Sequence, residues 1–332
     1  MKSLIQKLVE VNGPSGYESK VRDLVIEEIK NHVDDYTIDG LGNLIARKGE
    51  KAKNGQVVML AAHLDEIGII VTHVDQDGFA RFTTIGGVRP RNTAGGRVRF
   101  LNSAAGVIGM EPGSTNSSVT PISKMFIDFG VSNQKDCPVQ VGDVAAFERT
   151  FVDLGDRLVS KALDDRIGVA VLIDTLKNIK NSPNEIVGVF TVQEEVGVRG
   201  ATAAAFGIDP DIGIAIDVTF SGDTPKDDTL EVGLGKGPAI KIKDSGMISD
   251  PRVVAWMEAG ARRARMPFQR EILVGGSTDA RAIQLTRSGV PVGCVSIPCR
   301  YVHSPSEMVD LNDVTNAVKL LTQLLNRPIN LK

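Results

Sequence analysis

The chain changes its periodicity twice, and that double change limits the folds open to it. Residues 57–62, Val-Val-Met-Leu-Ala-Ala, form the continuous apolar run of a parallel strand buried on both faces. After about residue 67 come short β-type runs broken by Gly and Pro turns, at 69–74, 79–84, 97–100, 106–110, 125–128 and 143–147. From about residue 163, helix and strand patterns alternate: helices over 167–180, 202–206, 250–263, 280–288 and 311–325, strands over 186–192, 212–217, 272–274 and 292–296. The expected fold class is therefore α/β, a mostly parallel central sheet covered by helices and interrupted by a small β-barrel. Residues 1–67 and 159–332 would form one discontinuous domain, with 68–158 the insertion.

The 332 residues fit that division, since a single core is filled at roughly 150 residues. A formal net charge of −3 gives no electrostatic case for nucleic acid or an anionic membrane. The three cysteines, Cys137, Cys294 and Cys299, are odd in number and lack CxxC spacing, which argues against a disulfide framework and a thiolate metal site. The first residues, MKSLIQKLVEVNGPSG, have their apolar positions interrupted by Gln6, Lys7 and Glu10, unlike a signal peptide. No stretch approaches the ~20 apolar residues of a membrane span. The expectation is a cytoplasmic protein.

In an open α/β sheet the working groups gather at the carboxyl ends of the strands. Here those ends carry His63-Leu64-Asp65-Glu66, Glu194-Glu195, Asp217 and the segment up to His303, while Asp164-Asp165 opens the helix after the insertion. Singly, each has an ordinary explanation: a strand-end aspartate caps a turn, and carboxylates suit a helix N-terminus. Together they are harder to dismiss. Only four histidines exist, and two of them fall in these clusters. Two imidazoles and several carboxylates on one sheet edge describe a site for Zn²⁺ or a similar borderline cation. Five candidate ligands from five segments are enough for two ions if one carboxylate bridges, and two ions about 3.5–4 Å apart can share a hydroxide in hydrolysis.

These residues lie within GPSGYE (13–18), DGLGNLIA (39–46), AAHLDEIG (61–68), KALDDRIG (161–168), VQEEVGVRGA (192–201), AIDVT (215–219), GGSTDA (275–280) and RYVHSPSE (300–307). In their order and separation they resemble the tetrahedral (TET) aminopeptidase family, di-metal peptidases of glutamyl or deblocking type that are sometimes described as endoglucanases. The resemblance covers nearly the whole chain; Leu64 and Ser277 are its minor departures. It implies that His63 and Asp217 hold one ion, Glu195 and His303 the other, and that Asp164 bridges them. It implies further that Asp65 orients His63, that Glu194 is the general base, and that the Asp164–Asp165 peptide is cis. The ions would be Zn²⁺ or Co²⁺, with Mn²⁺ also suited. The substrates would be peptides with a free N-terminus. The inserted barrel would pair subunits, and the dimers would assemble into a tetrahedral dodecamer.

The implied reaction is hydrolysis of the first peptide bond by a hydroxide bridging the two metals, with Glu194 moving the proton. Three competitors stand beside it. An endoglucanase needs two carboxyls ~5–5.5 Å or ~6.5–9.5 Å apart and gives no reason for two histidines. An N-acyl amino acid deacylase would use the same metals on a blocked amine. A scaffold with structural metals would leave Glu194 without a task. Among side chains that could set substrate preference, Lys241, Lys243 and Arg300 would favour acidic residues, whereas Met247 or Ile248 would favour apolar ones.

Overall fold

The computed structural model describes residues 1–112, 119–227 and 230–331. Its larger sheet has eleven strands. Along its main path they run Asp35–Ile38, Leu44–Lys48, Glu185–Thr191, Val57–His63, Ile212–Phe220, Val292–Arg300, Glu307–Asp310, Arg157–Ser160 and Val152–Asp153. The middle four, from Glu185–Thr191 to Val292–Arg300, are parallel. The flanking pairs are antiparallel, so the sheet is mixed, with its parallel part at the centre. Ala239–Lys243 pairs with Val292–Arg300, and Gln269–Ile272 extends that branch.

The continuous apolar runs of the parallel strands follow from burial on both faces. Alternate side chains point to opposite sides of a strand. Accordingly Val58, Leu60 and Ala62 join the core beneath helices Lys2–Glu10, Ser19–Ile29, Leu163–Asn178 and Leu311–Leu325. Met59 and Ala61 join the core beneath Arg199–Ile208 and Ala280–Gln284. Helix Leu163–Asn178 is apolar almost all round because it lies between the sheet and other helices. Gly188 marks its closest approach, since a Cβ there would lie 3.0 Å from Leu176 Cδ1 and 3.5 Å from Leu172 Cδ1.

The insertion is a closed barrel. Its strands run Gly68–Val74, Ala80–Ile85, Met125–Asp128, Ala105–Met110, Arg97–Phe100 and Val144–Phe147, with the last pairing back to the first. All six match runs legible in the sequence to within one residue at either end. The barrel has its own apolar centre, including Ile69, Phe82, Val98, Phe100, Ile108, Ile127 and Phe147. Among the described residues no helix is long and apolar enough to cross a membrane.

Truncating a side chain where the buried helix meets the sheet should leave a cavity that packing cannot close. Leu172→Ala is expected to lower stability by about 2–5 kcal/mol in equilibrium urea unfolding.

Candidate metal centre

The parallel strands end on one edge, and every residue singled out there faces a common cavity or its immediate support. His63 closes its strand and is buried. Its Nε2 lies 3.1 Å from Asp164 Oδ1, while Asp164 Oδ2 lies 3.4 Å from His303 Nε2. His303 Nε2 is also 3.2 Å from Glu195 Oε1. Asp164 thus stands between two imidazoles. The donor atoms form two sets, His63–Asp164–Asp217 and Asp164–Glu195–His303, in each of which all lie within 4.8 Å of one another. Asp164 belongs to both. Glu194 belongs to neither, yet lines the same cavity of about 290 Å³.

Asp65 holds the arrangement from behind. Its carboxylate is fully buried and accepts the Ser15 hydroxyl at 2.6 Å. It also accepts the backbone amides of Glu194 and Glu195, at 3.0 and 3.1 Å. Its Oδ1 is 3.4 Å from His63 Nδ1, which lies 3.0 Å from the Asp65 carbonyl oxygen. One carboxylate therefore fixes an imidazole and the adjacent glutamates.

Two supports had no role assigned from sequence. Glu307, buried beneath the centre, accepts the amides of Asp164 and His303, both at 2.9 Å. It closes the RYVHSPSE motif, so its identity was visible while its task was not. Asp165, joined to Asp164 by a cis peptide, accepts the amides of His63 at 3.2 Å and Gly168 at 3.0 Å. The turns leading to the site are unusual as well. Ala162, Gln193 and His303 have φ of 55°, 57° and 60°, a left-handed conformation costly for non-glycine residues.

The charges are strongly perturbed. Burial pushes Glu194 well above the ordinary carboxyl range; the nearby His63 opposes this, and Asp217, Asp279 and Glu195 add to it. Burial likewise raises Asp217 and Glu195, and it raises Asp279 to about 6. Asp164 goes the other way, because hydrogen bonds from His303 and His63 outweigh its burial. Burial opposes the charge on His303, but its contacts with Asp164 and Glu195 prevail and lift it to about 11. Buried carboxyls crowded against each other need compensating positive charge. Mixed imidazole and carboxylate donors in two overlapping sets suit a pair of borderline divalent ions.

The side chains considered for substrate preference separate in the structure. Lys241 reaches the cavity but is buried in an ion pair with Glu271. Arg300 lies in a neighbouring cavity, with its guanidinium held by both oxygens of Asp223 at 2.8 Å. Lys243, Met247 and Ile248 do not line the metal cavity. The barrel contributes a wall instead. Gly86 and Gly87, just beyond strand Ala80–Ile85, press on the centre. A Cβ on Gly86 would lie 2.9 Å from Glu195 Oε2, and one on Gly87 would run into the His303 imidazole.

The family model described as M42 glutamyl aminopeptidase matches residues 42–320. The chain belongs to that family. It is an aminopeptidase, a hydrolase of peptide bonds. The lysyl aminopeptidase of Pyrococcus furiosus is 36% identical over 338 residues, covering 97% of this chain and 96% of its own. An aminopeptidase from the archaeon Desulfurococcus kamchatkensis shares the fold at a TM-score of 0.94, with 41% identity over 98% of this chain and 94% of its own. The TET1 peptidase of Pyrococcus horikoshii, which can assemble into a tetrahedron or a large octahedral shell, matches at a TM-score of 0.88, with 32% identity over 98% of both chains. The names glutamyl and lysyl differ in charge preference, so membership of the family leaves the preferred first residue open.

A methyl group on Gly87 must displace either the barrel loop or His303. Since misplacing a catalytic group by about 1 Å can cost on the order of 100-fold, Gly87→Ala is expected to lower kcat/KM for a leucyl p-nitroanilide by about 10–100-fold.

Proposed function

We propose that the chain is a di-metal aminopeptidase that removes the first residue from peptides with a free N-terminus. The observation that carries this reading is the overlap of two three-residue donor sets at Asp164, with Glu194 left outside both and facing the same cavity. His63 and Asp217 would hold one ion, Glu195 and His303 the other, and Asp164 would serve both. Zn²⁺ or Co²⁺ fits this imidazole and carboxylate chemistry, and Mn²⁺ also suits it. When bound, the ions would make water acidic enough to attack near neutral pH and would polarise the scissile carbonyl.

The remaining work falls to the chain's own groups. Glu194 takes the proton of the attacking water and returns it to the leaving amine. Its place on the cavity wall outside both donor sets supports that task, because its carboxylate is not committed to holding an ion. Asp65 keeps Glu194 and Glu195 apart by fixing both amides, so the two carboxylates serve different partners. Phe220, Leu273 and Val302 line the cavity beside the donors and support an uncharged apolar first side chain. Of the cations nearby, Lys241 and Arg300 are already matched by Glu271 and Asp223, while Arg281 is an exposed side chain on the cavity wall. By analogy with the TET1 peptidase, the chain assembles as a homo-oligomer; the barrel is the module suited to pair its subunits, and peptides are its substrates.

EDTA should abolish hydrolysis of aminoacyl p-nitroanilides, and Zn²⁺ or Co²⁺ should restore it. N-acetylated analogues and cellulose oligomers should remain uncut; efficient cleavage of either would replace this reading with a deacylase or an endoglucanase. Glu194→Gln should lose about 10²–10⁴-fold in kcat with metal content unchanged. Asp65→Asn, which puts an NH₂ where two amides and a hydroxyl need an acceptor, should weaken metal binding by about 10–100-fold in a Zn²⁺ competition titration.

A further inference from the structure

The metal cavity does not end at the donors. It shares Phe220, Leu273 and Val302 with a second cavity of about 430 Å³. That one shares Arg89, Tyr301 and Val302 with a groove of about 760 Å³. The three adjoin one another through these shared walls, from the metal donors to the foot of the barrel. Carboxylates crowd the donor end, Asp227 and Arg300 are among the residues lining the middle cavity, and arginines line the far groove. Arg89 and Arg91 line the groove, and no Asp or Glu is among its described lining residues.

Arg89 differs from the other cations near the site. Lys241 and Arg300 have carboxylate partners, and Arg281 lines only the metal cavity. The Arg89 guanidinium has no carboxylate partner among the described residues and lies over the Phe220 ring, 5.3 Å from its centroid. Stacking of this kind holds the flat group in place while leaving its N–H edge free to bond. The backbone is fixed too, because the Arg89 carbonyl accepts the Asn92 amide at 3.0 Å and the Thr93 hydroxyl at 2.9 Å. Only Val88 separates Arg89 from Gly87, which abuts His303. The barrel loop therefore sets the arginine at a defined reach from the metal donors.

We propose that Arg89, supported by Arg91, is a carboxylate-binding subsite that receives the downstream end of the substrate and makes the enzyme selective for short peptides. A peptide substrate of this enzyme carries a carboxylate at the end that leads away from the scissile bond, and Arg89 and Arg91 lie at the side of these cavities away from the donors. This rests on the metal cavity being the place where the first peptide bond is cut. The carboxylate comes from one of two sources, the free C-terminus or an acidic side chain near it. Arginine binds either through its fork of donors.

The test compares kcat/KM for Leu-Gly-Gly, its C-terminal amide and Leu-Gly-Asp amide on the Co²⁺-loaded enzyme at low salt. The free acid should exceed the amide by about 3–10-fold, chiefly through KM, the range expected for a partly exposed arginine–carboxylate pair. Recovery of that advantage in Leu-Gly-Asp amide would identify an acidic side chain as a second source, and its absence would restrict the subsite to the C-terminus. In Arg89→Gln the acid-to-amide ratio should fall close to one, and Arg89→Lys should retain part of it. Equal cleavage of acid and amide by the unaltered enzyme, or an unchanged ratio in Arg89→Gln, overturns the subsite and leaves the aminopeptidase centre standing. Failure of the metal-loaded enzyme to cut any of the three overturns the centre and the subsite together.

Discussion

The Asp65 carboxylate is the anchor on which the rest of the centre depends. It is fully buried, and it joins three stretches of chain that are far apart in sequence: the Gly-Pro-Ser-Gly turn through Ser15, its own strand end through His63, and the Glu194–Glu195 amides. A buried anion is tolerable only when donors surround it. These donors do so well enough that its pKa is lowered; burial alone would raise it, and the contacts with His63, Ser15 and the Glu194 amide prevail. The geometry of the glutamate pair thus follows from satisfying a single charge.

A second buried cluster secures the same strand end from the other side. Arg166 is completely buried and donates to the carbonyls of Leu8 at 2.5 Å, Val11 at 2.8 Å and Leu64 at 2.6 Å. Glu66 lies between it and Lys161, which donates to its two oxygens at 2.9 and 2.7 Å. Such a network ties the first helix to the metal edge and leaves the residues around His63 little freedom. Precision at the centre comes from polar contacts behind it, most of them to backbone atoms.

The sequence revealed the strand ends and the residues on them, because buried parallel strands are long apolar runs and the polar residues that terminate them stand out. The barrel strands were legible for a related reason, their short runs being punctuated by Gly and Pro. Strands Arg157–Ser160 and Glu307–Asp310 were not, since four-residue flanking strands of mixed polarity carry no periodic signal. Helix 280–288 proved shorter, Ala280–Gln284, because the segment after it turns back toward Val292–Arg300 with Arg287 in a left-handed conformation at φ 51°. Glu307 and Asp165 were hidden for another reason. Their partners are backbone amides, which are the same in every sequence, so only the folded chain shows what these carboxylates hold. Gly86 and Gly87 carry no signal of their own, and only the folded chain sets Glu195 and His303 against them.

The first barrel strand begins at Gly68 and the last one passes Ala146, and these residues are paired neighbours across the two strands. For the surrounding domain, the excursion between His63 and Asp164 is therefore closed at its base. Closing an open loop of that length would carry an entropic penalty that grows with the logarithm of the number of residues. Pairing of Gly68 with Ala146 shortens the effective loop to the residues on either side of the barrel. The insertion thus acts on its host as a short hairpin would, and His63 and Asp164, a hundred residues apart in sequence, become near neighbours along the chain.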